Sequence, residues 1–250
     1  MDDSIGPEFL RKTRAPYQLD KDHHNPVPRP PLEMGYSQQA GLIGLSATDA
    51  FHTPPLDVRA AMDQRRTHRL SSDLPLSLEE LSYLLWYTRG VRSITPRPFT
   101  LRAVPSAGAR HPFETYLVIN RVTGLKAGLY RFVATRYSLL ALDTTPHIRE
   151  QIYKDCYRQD QIHSGAVTFL WVAVGERMIW RYKHRGYRYL FLDAGHICQN
   201  LYLAAVPLGC GVCAMGSFDD PRLNAAMGLD GEKNFVVYIA SLGKIVKSVE

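Results

Sequence analysis

The sequence has few cysteines and lacks an uninterrupted membrane-length apolar run, and each absence excludes a class of protein. Four cysteines in 250 residues are too few for a disulfide scaffold of this size. The first residues carry no apolar segment of the kind found in secretory signals. Residues 197–218 are uncharged over a length that would span a membrane, but they include Pro207, Gly209 and Gly211. We therefore expect a buried helix followed by a tight loop there, in a soluble cytoplasmic protein with reduced thiols and no membrane partner.

Two common nucleotide-binding signatures are also missing. No Gly-Lys-Ser/Thr segment follows a glycine-rich stretch, and there is no G-x-G-x-x-G fingerprint. The sequence therefore gives no support for a Walker-type phosphate loop or a Rossmann dinucleotide site.

The sequence does have an excess of positive charge. Thirty Lys and Arg residues against 24 Asp and Glu residues give a formal net charge of +6. Nucleic acid, a membrane or a phosphorylated small molecule would each suit such a chain. A nucleic-acid surface would carry Lys and Arg along one helix with interleaved aromatic residues. The strongest basic group is instead the compact run Arg65-Arg66-Thr67-His68-Arg69, which suits one phosphate, although a solvated basic face is its alternative. We expect no nucleic-acid partner, and we expect the remaining charge to be solvated surface.

Proline divides the chain into two parts. Eight of the 16 prolines fall in the first 60 residues, and the run Asn25-Pro26-Val27-Pro28-Arg29-Pro30-Pro31 excludes regular helix and inner strand. We predict an extended arm over residues 1–60, which is either loosely ordered or wrapped across the molecule or a partner subunit. One domain over residues 61–250 follows it.

The remaining pattern predicts the α+β class, with an apolar sheet sandwiched by helices. A helix is predicted over Leu78–Arg89, because Ser77 and Glu80 form a capping box and Gly90 supplies a stop. A longer helix is predicted over Tyr187–Val206 from its apolar spacing. The predicted strands are Thr115–Ile119, Val167–Val174 and Phe235–Ala240. They are β-branched or aromatic and mostly apolar, as strands covered on both faces would be.

Two segments rich in small residues are candidate ligand-binding loops, with ordinary tight loops as the alternative. Pro105-Ser106-Ala107-Gly108-Ala109 precedes a strand, and its small side chains would let a ligand ring approach the backbone. Residues 209–220 are predicted to form a second loop that offers N–H groups to an aromatic heterocycle. Within it, Cys210 and Cys213 form a C-x-x-C pair without a second ligand pair, so we expect buried thiols and no metal site. His196 is predicted to join a core polar network.

Several of these segments, in this order, resemble the nitroreductase superfamily and its SagB-type dehydrogenase branch. Arg65–Arg69 resembles the superfamily motif of Arg, Arg or His, Ser, any residue and a basic residue. Pro105–Ala109 resembles the Pro-Ser-Ala-Gly-Ala loop of the branch. Further signatures of the branch stand at Gly128-Leu129-Tyr130, Arg185-Gly186-Tyr187-Arg188-Tyr189, Gly195-His196 with Gln199-Asn200, and Gly216-Ser217-Phe218-Asp219-Asp220. The resemblance covers residues 65–243.

The resemblance implies an FMN enzyme with a central, mostly antiparallel sheet surrounded by helices, and a homodimer with the flavin at the subunit interface. The residues that would hold the phosphate, ribityl chain and pyrimidine edge of FMN are Arg65, Arg66, Thr67 and Arg69. Those that would approach the same flavin from the other subunit are Pro105, Ser106, Ala107, Gly108 and Ala109. Those expected near its N5 side are Met215, Gly216 and Ser217. Lys244 or Lys247 is expected to reach the phosphate.

The sequence departs from the branch at one position. Members that oxidise azoline rings have a Lys-Tyr pair where this chain has Arg181-Tyr182. Because arginine stays protonated, it does not readily serve as a base. Tyr182 therefore stands as the candidate catalytic acid or base, while azoline oxidation itself loses support. An exposed charged face is the alternative interpretation of residues 181–185.

Three functions remain open at this point. The first is an FMN-dependent oxidoreductase that dehydrogenates a peptide-derived or other biosynthetic intermediate. The second is a nitro or quinone reductase that takes electrons from NAD(P)H. The third is a flavin-binding scaffold without catalysis. The expected substrate of either enzyme is a small molecule or a peptide.

Overall fold

The computed structural model describes residues 4–14 and 27–246 of the chain. The helices are α1 Ile5–Lys12, α2 Val58–Gln64, α3 Leu78–Arg89, α4 Pro146–Asp155, α5 Asp160–Ser164, α6 Gly175–Tyr182, α7 Gly186–Ala205 and α8 Asp220–Ala226. The strands are β1 Leu42–Gly44, β2 Val91–Ile94, β3 Thr100–Arg102, β4 Phe113–Ile119, β5 Gly128–Val133, β6 Ser138–Asp143, β7 Val167–Val174, β8 Cys210–Met215 and β9 Asn234–Lys244.

Seven of the strands form one central sheet in the order β1-β6-β5-β4-β7-β9-β8. Every neighbouring pair in this sheet is antiparallel. The strands β2 and β3 form a separate antiparallel pair that the sequence did not predict. The α+β class with an antiparallel sheet among helices is confirmed.

Two apolar layers cover the faces of the central sheet. One contains α3 and α7 side chains such as Leu81, Leu85, Leu190 and Leu201. The other contains residues of α4 and α8, including Ile152 and Leu223. All residues of β4 and β7 are buried, because both faces of these central strands lie under helices. None of the helices within the described ranges is both long and apolar enough to cross a membrane.

Several elements were predicted correctly from local sequence signals. Helix α3 has the predicted bounds, and its capping box is present: the Ser77 hydroxyl accepts from the Glu80 N–H at 3.0 Å, and the Glu80 carboxylate accepts from the Ser77 N–H at 2.9 Å. Strand β7 also has the predicted bounds. Helix α7 is displaced by one residue from its prediction.

The prediction of a loop over residues 209–220 is wrong for its first half, which forms strand β8. Glycine and alanine carry weak strand propensity, so the local pattern does not reveal this strand. Its conformation is set by partners that are distant in sequence. One side pairs with β9 from Cys210–Lys244 to Met215–Ile239, and on the other the His68 N–H donates to Val212 O at 3.0 Å.

The expectation that the charge outside the basic run is solvated surface is also wrong. Five arginines are buried: Arg89, Arg102, Arg110, Arg131 and Arg177. Several of them donate to backbone carbonyls, for example Arg102 Nη1 to Arg89 O at 2.9 Å, and Arg177 also pairs with Glu114 at 2.6 Å. Such bonds satisfy guanidinium groups that burial has removed from water.

Residues 27–36 of the predicted arm pack against the chain's own domain. The indole N–H of Trp180 donates to Val27 O at 2.8 Å, and Arg177 Nε donates to Pro31 O at 2.8 Å. Further along, the Glu33 carboxylate accepts from the N–H groups of Ala134 and Thr135, each at 2.8 Å. Strand β1, also within the first 60 residues, pairs with β6. The first two residues of the proline run, Asn25 and Pro26, lie outside the described residues.

Candidate functional site

The basic run Arg65–Arg69 leaves the end of α2 and lies along the outer edge of β8. Thr67 forms a parallel bridge with Val212. A Cβ built on Gly211 would lie 2.5 Å from His68 Cβ, so a glycine is required for this close approach. The structure thus brings together the basic run and the small-residue segment that the sequence singled out separately.

Tyr202 of α7 connects these two segments, and sequence reasoning missed it. Its hydroxyl accepts from the Ala214 N–H at 3.0 Å and lies 3.3 Å from Thr67 Oγ1. The Arg65 guanidinium stacks over its ring at 5.4 Å. A tyrosine near the end of an apolar helix could have been recognised as a candidate, because a half-buried tyrosine needs a partner for its hydroxyl.

A cleft of about 200 Å³ opens beside the basic run. Its lining residues are Gln64, Arg65, Arg66, His68, Tyr202, Val206, Gly209, Cys210, Val212 and Ile245. Ligand sites that enclose a drug-sized molecule measure roughly 300–1,000 Å³, so this cleft suits one group of a ligand rather than a whole heterocycle.

The charge beside the cleft is positive and uncompensated. Within the described ranges, Arg65, Arg66 and Arg69 form no ion pair with any carboxylate. Arg66 Nη1 donates to Asp63 O at 2.6 Å and to Arg65 O at 2.9 Å, which holds its guanidinium at the end of α2. Several guanidinium groups without a counter-ion form a donor set that fits a phosphate.

The loop Pro105–Ala109 is a second group of candidate site residues, separate from the lining of the cleft. A buried carboxylate accepts hydrogen bonds from it. The Ser106 hydroxyl donates to Asp193 Oδ2 at 2.5 Å, and the Ala107 N–H lies 3.3 Å from Asp193 Oδ1. Gly108 and Ala109 have φ values of +57° and +52°. The left-handed conformation costs a non-glycine residue about 1–2 kcal/mol, so the loop is strained at Ala109.

Tyr182 lies at the last position of α6 and faces this loop. A Cβ on Gly108 would overlap the Tyr182 hydroxyl and would approach Arg181 Cδ to 3.3 Å. The Tyr182 ring packs edge-on against Tyr189 with centroids 4.8 Å apart. Burial raises the pKa of Tyr182 above its ordinary value of 10, although Arg181 opposes the shift. A phenol is already protonated near neutral pH, and this shift keeps Tyr182 protonated to a higher pH.

The remaining predicted residues do not line the cleft. The Met215 side chain is buried in the apolar layer that contains Phe218 and Leu223. Gly216 and Ser217 are exposed after β8. The Lys244 ammonium contacts the Glu80 carboxylate and donates to Leu208 O at 2.9 Å. Lys247 lies outside the described residues.

The two thiols of the C-x-x-C pair point to opposite faces of the sheet. Since side chains alternate along a strand, Cys210 packs in the layer under α7 and Cys213 in the layer under α8. Both are buried, as predicted, and burial raises the pKa of Cys210 to about 12. His196 is exposed, so its assignment to a core polar network is wrong. Among the described residues, no group of three His, Cys, Asp or Glu side chains is placed to hold a metal ion.

Comparison with known sequences identifies the family. The profile of the Nitroreductase family matches residues 62–244. The chain belongs to the nitroreductase family. MJ1384 of Methanocaldococcus jannaschii, a protein named as a nitroreductase, is 29% identical over 184 residues, which cover 74% of this chain and 89% of that protein.

Two relatives are named as processing proteins. The trifolitoxin-processing protein TfxB of Rhizobium leguminosarum bv. trifolii is 30% identical over 163 residues, 62% of this nitroreductase-family chain and 44% of TfxB. The microcin B17-processing protein McbC of Escherichia coli is 24% identical over 143 residues, 54% of this chain and 52% of McbC. The chain thus spans about half of each. These matches support the resemblance to the SagB-type branch.

Solved structures with the same fold include three informative ones. A protein of Ralstonia eutropha JMP134, described as a nitroreductase, has a TM-score of 0.67 at 22% identity, covering 93% of this chain and 99% of that one. A chain of the E. coli McbBCD complex with truncated pro-MccB17 bound has a TM-score of 0.61 at 19% identity, with 96% and 87% covered. A Desulfovibrio desulfuricans nitroreductase in complex with FMN has a TM-score of 0.55 at 17% identity, with 78% and 89% covered. Together they show that this family member has the nitroreductase fold.

Proposed function

We propose that this protein binds FMN and is an oxidoreductase that passes a hydride or an electron pair between the flavin and an organic substrate. The observation that carries the proposal is the uncompensated positive charge of the basic run: Arg65 and Arg66 line a cleft large enough for one phosphate, and Arg69 follows them in the run. The family match and the FMN in the D. desulfuricans structure support the choice of flavin.

The two groups of site residues support a flavin shared between subunits. Tyr202, at the basic run, and Asp193, at the Pro105–Ala109 loop, are nine residues apart on α7, which separates them by about 14 Å along the helix axis. Directly before Asp193, α7 exposes Phe191 and Leu192, which are 59% and 58% accessible. Exposed apolar residues on a helix are suited to a second copy of the chain. We infer a homodimer in which the Pro105–Ala109 loop of one subunit completes the basic cleft of the other.

Each group of residues has a distinct task in this proposal. Arg65 and Arg66 bind the phosphate, while Thr67 and the edge of β8 orient the rest of the cofactor. When bound, FMN supplies a hydride donor and acceptor at its N5 atom. A phenol is protonated at neutral pH, and burial raises the pKa of Tyr182 further, so Tyr182 is suited to protonate a substrate that receives a hydride, as in a reductase reaction. Exposed Gly216 and Ser217 leave open backbone beside the β8 edge.

The substrate class is proposed from the relatives. TfxB and McbC are named as trifolitoxin-processing and microcin B17-processing proteins, and the McbBCD structure has truncated pro-MccB17 bound, which favours a peptide-derived or biosynthetic intermediate as the substrate. The match to MJ1384 supports a second candidate, a nitro or quinone reductase supplied by NAD(P)H. Rapid NAD(P)H oxidation with a nitroaromatic acceptor would select the reductase, and its absence in FMN-loaded protein would favour the dehydrogenase. FMN-loaded protein inactive on nitro compounds, quinones and azoline-containing peptides alike would instead indicate a scaffold.

The FMN proposal is tested by cofactor binding. Purified wild-type protein is expected to be yellow and to retain FMN through gel filtration. Arg66→Ala is expected to weaken FMN affinity at least tenfold, as measured by quenching of flavin fluorescence. Arg59→Ala is the matched control, because Arg59 lies on the preceding α2 turn and is exposed beside Asp57. Colourless protein that takes up no added FMN would refute the proposal, as would equal FMN affinity in both variants and the wild type.

A further inference from the structure

We propose that Asp193 is a positioning residue: its buried carboxylate holds the Pro105–Ala109 loop in a left-handed conformation, and this loop fixes the place of the Tyr182 hydroxyl. The importance of Tyr182 as a proton donor rests on the proposed function. The placement of its side chain does not, and it is measurable without flavin or substrate.

The contacts of Asp193 are directed at the loop. Both carboxylate oxygens face loop donors, Oδ2 the Ser106 hydroxyl and Oδ1 the Ala107 N–H. Ser106 Oγ in turn accepts from the His111 N–H at 2.8 Å. The carboxylate therefore organises both ends of the loop, although Asp193 is only 3% exposed and lies on a helix distant in sequence.

The loop needs such a restraint because its backbone is strained. Gly108, Ala109 and His111 all have φ between +44° and +57°. Such conformations persist at non-glycine positions only where surrounding contacts over-determine them. The two carboxylate oxygens of Asp193 provide this restraint. They accept hydrogen bonds from Ser106 and Ala107, which directly precede the strained residues.

The strained turn is also what meets Tyr182. Gly108 presents its bare Cα to the Tyr182 hydroxyl, and any Cβ there would overlap the oxygen. On its other side the Tyr182 ring rests on Tyr189, four residues before Asp193 on α7. Asp193 and Tyr189 both lie on α7. Asp193 acts on Tyr182 through the loop and Tyr189 acts through ring packing, so together they fix the position of the Tyr182 hydroxyl.

A tyrosine NMR measurement on flavin-free protein tests this role. The ring resonances of Tyr182 are assigned with Tyr182→Phe, and Asp193→Ala is compared with Asp160→Asn, an exposed carboxylate on α5 under the opposite sheet face. Asp193→Ala is expected to shift the Tyr182 resonances toward those of a solvated tyrosine. It is also expected to speed amide exchange of Ala107 to His111 at least tenfold. Asp160→Asn is expected to change neither.

Milder variants keep the test informative if Asp193→Ala does not fold. Asp193→Asn retains an oxygen for the Ala107 N–H and is expected to give an intermediate exchange rate. Ser106→Ala leaves the carboxylate and removes the hydroxyl, so it is expected to shift Tyr182 in the same direction. Unchanged Tyr182 resonances and loop exchange in a folded Asp193 variant would overturn the proposal. Failure of FMN binding would overturn the proposed function and leave this result standing.

Discussion

The Arg177 guanidinium donates to Glu114 Oε1 at 2.6 Å, and each of these two side chains is only 3% exposed. The same carboxylate oxygen accepts from the Met34 N–H at 2.8 Å, and Arg177 Nε donates to Pro31 O. One ion pair thus fastens residues 31–34 of the N-terminal segment to β4 and α6. Removing one partner of such a pair leaves a charge that is buried without compensation.

Glu114→Gln is therefore expected to lower the free energy of unfolding by about 3–5 kcal/mol, because Arg177 loses its counter-charge inside the protein. Urea denaturation followed by circular dichroism measures the loss. The double variant Glu114→Gln with Arg177→Met removes both charges and is expected to recover part of it. A single variant within about 1 kcal/mol of wild type would show that the pair is not what holds the segment.

A second prediction concerns the pH dependence of stability at Asp193. Burial raises the pKa of its carboxyl above the ordinary 3.8, while the bonds from Ser106 and Ala107 only partly oppose this. The native state therefore binds the proton more tightly than the unfolded state does. Between pH 3.8 and the raised native value, stability contributed by this group falls as the pH increases.

Asp193→Asn is expected to remove the pH-dependent contribution of this carboxyl to stability. The difference in unfolding free energy between wild type and variant should therefore change between pH 3.8 and the raised native pKa of Asp193. Urea denaturation at a series of pH values from about 3 to about 7 measures both curves. Asp160→Asn is again the control, because its carboxylate is exposed. Parallel curves for wild type and Asp193→Asn would contradict the prediction.

The elements that the sequence predicted well are those that local signals define. Helix α3 has a cap, an apolar stripe and a stop within 14 residues, and β7 consists mostly of β-branched and aromatic residues. Strand β8 escaped prediction because its pairing with β9 and with His68 overrides a weak local preference. Boundaries set by distant partners are not visible in a local pattern.

The residues of the candidate site also divide into those that a local sequence pattern revealed and those that it did not. The basic run and the Pro105–Ala109 segment were visible, because unusual residue types stand close together in sequence. Asp193 and Tyr202 were not, since no unusual cluster of residue types marks either position along α7. A carboxylate between Leu190 and Ile197 on the buried face of α7 still carries a signal, because a buried polar group needs a partner. The identity of that partner depends on the fold.

A third prediction separates a structural role of Lys244 from a phosphate-binding one. Its ammonium contacts Glu80, whose other oxygen caps α3, so Lys244 joins the end of β9 to that helix. Lys244→Met is expected to lower the free energy of unfolding by about 1 kcal/mol and to change FMN affinity less than Arg66→Ala does. Thermal denaturation and flavin titration of the two variants compare these effects. A loss of FMN affinity as large as that of Arg66→Ala would place Lys244 at the phosphate.

The last prediction concerns the subunit interface proposed on α7. Leu192 is exposed beside Asp193, so an aspartate there would put a carboxylate into the interface without disturbing the core. Leu192→Asp is expected to sediment as a monomer at concentrations where wild type is a dimer, with an unchanged far-ultraviolet spectrum. Its FMN affinity is expected to fall at least tenfold, because each cleft would lose the loop that the other subunit contributes.

The control for this interface variant is Leu142→Asp. Leu142 is an exposed leucine on β6, which lies near the edge of the central sheet opposite to β8. It is expected to leave both the oligomeric state and FMN affinity unchanged. If Leu192→Asp is monomeric and still binds FMN as the wild type does, one chain holds the complete cofactor site. If it remains dimeric, subunits associate through another surface, and the exposed face of α7 needs a different partner.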